Sequence, residues 1–385
     1  MTKRTWTDEF LDDMRAVGDP PADAVVAELF EHGEVDAVNE LMRTLVRNDG
    51  LPPKQLPDVV RGYLDTTDDL PAWADAQKLE RGGRFFEVHG PACVMSLACA
   101  SLPACYASRR GVQVLGMTDR LKSNPVRRIG ETAQLTLDAM SPGGLEPGGK
   151  GIRDAQKVRL MHAAVRHLVS TSDAYDPEWG TPVNQEDLGG TLLTFSIVVL
   201  DSIAKLGTTF SDEDADAYFH AWNCVGHVLG VDHRLICDSV DEGRALWRRI
   251  IARNWEACPE GRAMTKALIE AMEHATPGSV FDGFASYVVR FLGGDELGDI
   301  LGVRTRDWTS LLGGPLRWIA RDTDRADDLV PGLAPVAAHF SRQLLEGFGW
   351  TARGGERAPF EIPEELAARW NVRTPQRAAG RAAER

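Results

Sequence analysis

The sequence lacks several signatures that would assign a function class directly. Its six cysteines form no C-x-x-C pair and no C-x-x-C-H motif, so redox motifs, zinc ribbons and c-type cytochromes have no support. The glycine-rich segment 143–151 does not match G-x-x-x-x-G-K-[ST], and no G-x-S-x-G elbow occurs. A phosphate-binding loop and an ordinary serine hydrolase are therefore rejected.

Basic charge and long apolar runs are also scarce. The chain has 43 basic against 57 acidic residues, a formal net charge of −14, which predicts no nucleic-acid partner. The most apolar runs, residues 92–100 and 192–200, are shorter than the about 20 residues that a membrane span needs. The first residues contain no apolar signal core. We therefore expect no membrane span and, for the chain as written, a cytoplasmic protein.

The residues that are present predict an all-α fold. Hydrophobic residues make up 43% of the chain, enough for a sizeable core, and their periodicity is helical almost throughout. Because no repeat and no long polar linker divides the chain, we predict a single helical domain over residues 1–369. An Arg- and Ala-rich tail, 370–385, is expected to be poorly ordered. The acidic charge and the absence of coiled-coil heptads favour a monomer.

Local signals place several helix starts. Thr7, Asn184 and Ser211 are each followed by acidic residues, as in helix caps and capping boxes. Pro125 suits the first position of another helix. Pro91 is expected to kink or split a central apolar helix.

The first candidate for chemistry is His162, on a predicted helix over residues 152–169. Its face of that helix is otherwise apolar, and His167 lies about 140° around the axis, so the two histidines form no chelate. A buried neutral imidazole can ligate haem iron through one nitrogen while the other is hydrogen-bonded. A core histidine bonded to a backbone carbonyl is the alternative, and it is the commoner outcome. The apolar neighbours are Val158, Met161, Val165 and Val169.

Two further clusters are candidates. Arg128 and Thr132 share a helix face beside Glu131, where they could bind a haem propionate or polarise oxygen; the alternative is an exposed Arg–Glu pair. On another helix, two histidines and a cysteine at spacings of four and three residues lie on one face. They would suit zinc or non-haem iron, with a fourth ligand from nearby, although ordinary helix packing is the more common role of such residues. The residues of this third candidate cluster are His220, Cys224 and His227, with Asp232 or His233 as the fourth ligand.

Five collinear segments carry a family resemblance. They read MRAVGDP at 14–20, LMRTLVRND at 41–49, LPAWA at 70–74, ETAQ at 131–134 and HAAVRH at 162–167. The chain, over roughly residues 6–350, resembles the latex clearing proteins, the rubber oxygenases of actinomycetes. The wider family includes a mycophenolic-acid pathway oxygenase.

The resemblance implies a fold, a cofactor and a reaction. It implies a globin-like helical core that holds one non-covalent b-type haem and its iron. The reaction is cleavage of the double bonds of poly(cis-1,4-isoprene) with O2, giving aldehyde and ketone ends. The first histidine of HAAVRH, His162, is then the iron ligand, while Arg128 and Thr132 lie near the haem. Arg128, Glu131 and Thr132 are the residues expected to be catalytic, and Arg128 also binds the cofactor.

One position departs from the family pattern. Glu131 stands where the characterised rubber oxygenases have a lysine that can ligate the distal side of the iron. We therefore expect a five-coordinate or water-bound iron. The family's catalytic glutamate has no counterpart near Val112 and Gln113, so we hypothesise that Glu131 acts as the base, with its pKa raised by an apolar pocket.

The substrate and the location follow from the same resemblance. Rubber is too large to enter a cell, so the family implies a secreted protein from which a leader was removed. The alternative reaction is a haem monooxygenase or peroxygenase acting on a small apolar metabolite, because a carboxylate near the iron suits peroxide activation. A haem-binding protein without enzymatic activity is a third interpretation.

Overall fold

A computed structural model shows an all-α protein. Outside helices and turns, the described residues form one isolated bridge, between Ser108 and Trp255. The all-α prediction is confirmed for this part of the chain, whereas the tail 370–385 lies outside it. The residues that the structure describes are 4–32, 56–117, 125–275 and 283–304. Their α-helices are α1 (Asp8–Ala16), α2 (Pro20–His32), α3 (Asp58–Thr66), α4 (Ala76–Ser96), α5 (Leu102–Tyr106), α6 (Gly111–Met117), α7 (Pro125–Met140), α8 (Lys150–Ser170), α9 (Gln185–Leu193), α10 (Val199–Lys205), α11 (Asp212–Val228), α12 (Val240–Asn254), α13 (Pro259–Ala275) and α14 (Phe284–Ile300).

The predicted helix starts are confirmed. The side chains of Thr7, Asn184 and Ser211 each accept a hydrogen bond from the backbone N–H three residues further on, at 3.2, 3.0 and 3.1 Å. Pro125 is the first residue of α7. These starts were predictable because a cap depends on residues within one helical turn.

The central helix does not break at Pro91. Helix α4 runs through this proline, and a π-helical turn, Leu97–Ser101, then leads into α5. A second π-helical turn, Thr194–Val198, joins α9 to α10, and Ser101 Oγ donates a hydrogen bond to the carbonyl oxygen of Thr194 at 2.6 Å. Of the two predicted outcomes, the split is wrong, because the buried residues on both sides of Pro91 keep the segment helical. A kink at Pro91 stays a prediction.

Within the described ranges, the core consists of three clusters of buried residues. The largest lies around the pair α4 and α11, which make the most extensive helix–helix contact, and includes Phe86 and Trp222. A second cluster joins α5, α13 and α14, and a third joins α2, α3 and α8 around Val60 and Leu160. Helix α8 therefore lies at the edge of the main core, between α2 and α7.

In the part of the chain that the structure describes, two helical segments are long and apolar enough to cross a membrane. They are Ala76–Tyr106 and Gln185–Lys205, and 67% of the apolar window of each is buried inside the protein. Core helices of proteins that never enter a membrane meet the same criteria of length and composition. The absence of a membrane span stays a prediction.

The contact between α4 and α11 requires a glycine. A Cβ atom at Gly82 would lie 2.7 Å from the backbone oxygen of Ala217, and backbone cannot move as a flexible side chain does. We expect Gly82→Ala to lower the free energy of unfolding by about 1–3 kcal/mol through overpacking. Urea unfolding followed by circular dichroism would measure this loss.

The matched control for this substitution is Gly62 on α3. A Cβ atom there meets nothing within 4 Å. Gly62→Ala should leave stability unchanged or raise it by up to about 1 kcal/mol, since alanine favours a helix over glycine. Equal effects of Gly82→Ala and Gly62→Ala would refute the close-packing explanation.

Candidate functional site

Helix α8 carries His162 and has two different faces. Leu160, Ala163 and Ala164 are buried and pack with α2 and α3. His162 is only partly buried, although its Nδ1 atom is shielded from solvent. The apolar face around His162 is thus not the most buried face of α8. It is a partly buried surface that contains a histidine. Its other partly buried members are Val158, Met161 and Val165.

Helix α7 brings the second candidate group beside α8, because the two helices pack directly together. Thr132 is partly buried on α7, and its carbonyl oxygen accepts a hydrogen bond from Thr136 Oγ1 at 3.2 Å. Arg128 and Glu131 lie on the same helix, but their side chains lie outside those that the structure describes. The roles of Arg128, Glu131 and Thr132 therefore stay predictions.

The residues of α8 fit a b-type haem in two respects. When an apolar planar group buries a partly covered apolar surface, the free energy of the complex falls by roughly 25 cal/mol per Å² of apolar surface buried. His162 supplies one imidazole within that surface, and an imidazole is a donor that could hold haem iron. His162 therefore stays the predicted ligand of the haem iron.

The second histidine of the HAAVRH motif has a packing role. His167 is exposed and stacks on Phe30 of α2, with ring centroids 4.5 Å apart and an interplanar angle of 17°. It thus helps α8 to pack against α2. This contact makes His167 a useful comparison for His162, since both are histidines of one motif on one helix.

Sequence reasoning missed a buried carboxyl pair between the two site helices. Asp138 of α7 is 5% exposed and accepts a hydrogen bond from Gln134 Nε2 at 2.8 Å. Asp154 of α8 is 9% exposed and lies 3.4 Å from Lys157 Nζ. Burial, followed by a hydrogen bond with the Asp138 carboxyl, raises the pKa of Asp154 to about 7. The pair could have been found from the sequence, because both acidic residues occupy core positions of their predicted helices.

This pair predicts a pH-dependent stability. Asp154 keeps its proton in the folded protein up to about pH 7, whereas an unfolded chain releases it near pH 4. The folded state therefore binds more protons between these values, and the contribution of Asp154 to stability, complete below about pH 4, is lost as pH rises through 7. We expect this contribution to be of the order of 2–4 kcal/mol.

Urea unfolding at pH 4, 5.5 and 7 would test this prediction. An asparagine side chain cannot titrate, so the unfolding free energy of Asp154→Asn should fall less between these pH values than that of the unsubstituted protein. Asp65→Asn, at an exposed position, serves as the control and should leave the pH dependence unchanged. An equal pH dependence in all three proteins would contradict the raised pKa of Asp154.

The third candidate cluster is used for packing. His220 Nε2 accepts a hydrogen bond from the backbone N–H of Asp75 at 2.9 Å, and it lies 3.8 Å from Cys224 Sγ. Burial raises the pKa of the Cys224 thiol to about 12, which disfavours the thiolate that a metal needs. In the parts of the chain that the structure describes, no three His, Cys, Asp or Glu residues form a group that could hold a metal ion. Asp232 pairs with Arg234 at 2.7 Å instead.

An open cleft of about 550 Å³ lies beside this third cluster. The exposed Trp73 contacts the rings of His220 and His227 edge-on, at centroid distances of 5.6 and 6.3 Å. Charged residues surround the aromatic centre, and they make the cleft a poor site for a purely apolar chain. Its charged and titratable lining residues are Arg4, Asp75, Lys78, Asp216, His220, His227, His233 and Asp238.

Comparisons with known proteins agree with the helical fold. Residues 87–322 match the family model described as ER-bound oxygenase mpaB/B′/Rubber oxygenase, catalytic domain. The rubber oxygenase of Streptomyces sp. (strain K30) is 31% identical over 307 residues, which cover 76% of this chain and 72% of that protein. The solved structure of latex clearing protein LCP in the closed state matches with a TM-score of 0.68 and 27% identity, over 91% of this chain and 95% of that chain.

The fold and these matches together define the class of protein, an all-helical oxygenase domain. More particularly, the chain belongs to the family of mpaB-type oxygenases and rubber oxygenases. The resemblance inferred from the five sequence segments is thereby confirmed. The family model also spans both α7 and α8, so the candidate site lies within the matched region.

Proposed function

We propose that this protein is a haem b-dependent dioxygenase that cleaves carbon–carbon double bonds of poly(cis-1,4-isoprene) or a related isoprenoid. The observation that carries the proposal is the HAAVRH motif on α8, packed beside α7 in a chain of the rubber oxygenase family. In the reaction, O2 supplies both oxygen atoms. The double bond breaks, and its two carbons become the carbonyl carbons of an aldehyde and a ketone.

Each site residue has a separate role in this proposal. His162 would hold the haem iron, and Arg128, on the neighbouring helix, would bind a haem propionate. Thr132 offers a hydroxyl donor near the reacting atoms, and Glu131 holds or accepts a proton there. When bound, the haem supplies the redox chemistry that activates O2.

The apolar residues around His162 bind and orient rather than react. Val158, Met161 and Val165 can contact an apolar cofactor or an isoprenoid chain and exclude water from it. Exclusion of water strengthens the interaction of Arg128 and Glu131 with their partners, because the local dielectric constant falls. This division predicts that polar substitutions on the stripe weaken haem binding more than they weaken folding.

A visible absorption spectrum and a product assay test the proposal together. The purified protein, reconstituted with haem, should show a Soret band and b-type pyridine haemochrome maxima. With a defined oligoisoprene and 18O2, both labelled oxygen atoms should appear in the carbonyl products. A protein that binds no haem after reconstitution would disprove the proposal.

The second candidate function is a haem monooxygenase or peroxygenase for a small apolar metabolite. It is favoured by Glu131, at the position where the characterised rubber oxygenases have a lysine. The same assay separates the two functions. Incorporation of one oxygen atom without chain cleavage, or turnover driven by peroxide alone, would favour the second.

A further inference from the structure

The segment 14–20 meets, in the structure, the helix that carries the HAAVRH segment. Asp19 precedes α2, and both its carboxylate oxygens accept hydrogen bonds from Arg159 of α8, at 2.6 Å from Nε and 2.8 Å from Nη2. The Arg159 side chain is 12% exposed and that of Asp19 is 4% exposed. A bidentate pair of this kind fixes both direction and distance between two helices.

A second ion pair joins the same helices. Arg166 Nε donates to Asp23 of α2 at 2.8 Å, and Arg166 Nη1 donates to the carbonyl oxygen of Val183 at 2.6 Å. Among the residues that the structure describes, Val183 is the one non-glycine residue with a positive φ, at 50°. A β-branched residue rarely adopts this conformation, so the buried Arg166 holds a strained loop in place.

The surrounding backbone is shaped to admit both guanidinium groups. A Cβ atom at Gly18 would lie 2.8 Å from Arg166 Cδ, and one at Gly230 would collide with Arg159 Nε. Gly230 also has a φ of 79°, which side chains disfavour. Glycine at these two positions thus allows the ion pairs to form at short distance.

The two arginines flank His162. Arg159 is three residues before it and Arg166 four residues after it, so each lies about one helical turn away, on the side of α8 towards α2. Two anchors on one side of a helix fix its rotation about its own axis. The adjacent face, with His162, then has one orientation.

We infer that Asp19 with Arg159, and Asp23 with Arg166, form a clasp that positions His162 for haem binding. The four are positioning residues, since they act through the rotation of α8. This inference rests on the proposed function for the role of His162. Ion pairs suit the task, because apolar packing between the same helices would tolerate small rotations that a bidentate contact does not.

The test uses the conservative variants Arg159→Lys and Arg166→Lys in the full-length haem protein. Lysine keeps the charge but cannot form the forked contact. We expect haem loss to apomyoglobin to become about 10–100-fold faster, as for other residues that orient a metal ligand. The low-temperature EPR spectrum of the ferric haem should change as well.

Arg153→Lys is the matched control on the same helix. Arg153 lies 3.4 Å from Asp68 in a more exposed ion pair, nine residues before His162, and its replacement should change neither readout. Asp19→Asn is a second variant, which removes one acceptor charge and leaves Arg159 intact. A lower thermal midpoint with unchanged haem loss and an unchanged EPR spectrum in the clasp variants would overturn the inference.

A measurement on the protein as purified separates the clasp from the proposed function. If the unsubstituted protein binds no haem, the proposed function fails. The NMR resonances of 13C-labelled histidine rings then test whether the clasp positions His162. Arg159→Lys and Arg166→Lys should shift the His162 ring signals and leave those of the exposed His233 in place. Unshifted His162 signals would overturn the clasp independently of haem.

Discussion

Replacing His162 with alanine is expected to abolish haem retention and to lower isoprenoid cleavage by more than about 100-fold. Loss of a residue that merely orients a metal ligand already costs about 10–100-fold, and the ligand itself matters more. Without the imidazole, the apolar stripe of α8 could still contact a haem but could not hold its iron. The Soret absorbance per protein and the rate of oxygen uptake with oligoisoprene would measure the two effects.

The control for this experiment is His167→Ala. His167 belongs to the same motif and helix but stacks on Phe30, so its loss should cost packing energy and leave the haem spectrum intact. Added imidazole should partly restore the spectrum of His162→Ala, because it can occupy the space of the missing ring. Full haem content and activity in His162→Ala would remove this residue from the proposed site.

Replacing Arg15 with alanine is expected to lower the free energy of unfolding by about 3–5 kcal/mol, the usual cost of breaking a buried ion pair. Arg15 Nε donates to Glu186 Oε2 at 2.7 Å, and neither side chain is more than 5% exposed. The same guanidinium bonds to Asp187 at 3.0 Å and to Asn254 at 2.9 Å. Its loss would leave the buried carboxylate of Glu186 and the partly buried carboxylate of Asp187 each short of a partner.

Urea unfolding would measure this loss against an exposed pair. Arg84 bonds to Glu80 at 2.8 Å on the surface of α4, where both side chains are more than 60% exposed. Arg84→Ala should cost less than about 1 kcal/mol, because water screens such pairs. Similar losses for Arg15→Ala and Arg84→Ala would show that burial of the Arg15 network adds nothing.

The sequence predictions were correct where the interactions involved residues close together in sequence, and they failed where the interactions were long-range. The caps at Thr7, Asn184 and Ser211 were correct because each involves residues within one turn. The split at Pro91 was wrong, since the effect of that proline was outweighed by packing of the buried residues on both sides of it. Local rules therefore described the helix starts better than the interior of α4.

The third candidate cluster shows the same limit. The spacing of His220, Cys224 and His227 correctly predicted a shared helix region, but spacing carries no information about partners. The nitrogen of His220 is engaged by Asp75, which is 145 residues away in sequence. A metal-like pattern was thus used for packing.

The sequence by itself determined the all-α class, the family and the choice of His162, because helical periodicity, caps and collinear motifs are local patterns. Only the tertiary structure decided what surrounds that histidine. The structure pairs Arg159 and Arg166, one helical turn on either side of His162, with residues 140 and 143 positions away. Such pairs depend on how α2 crosses α8, and that crossing is set by burial of the whole core, which no single segment of the chain encodes.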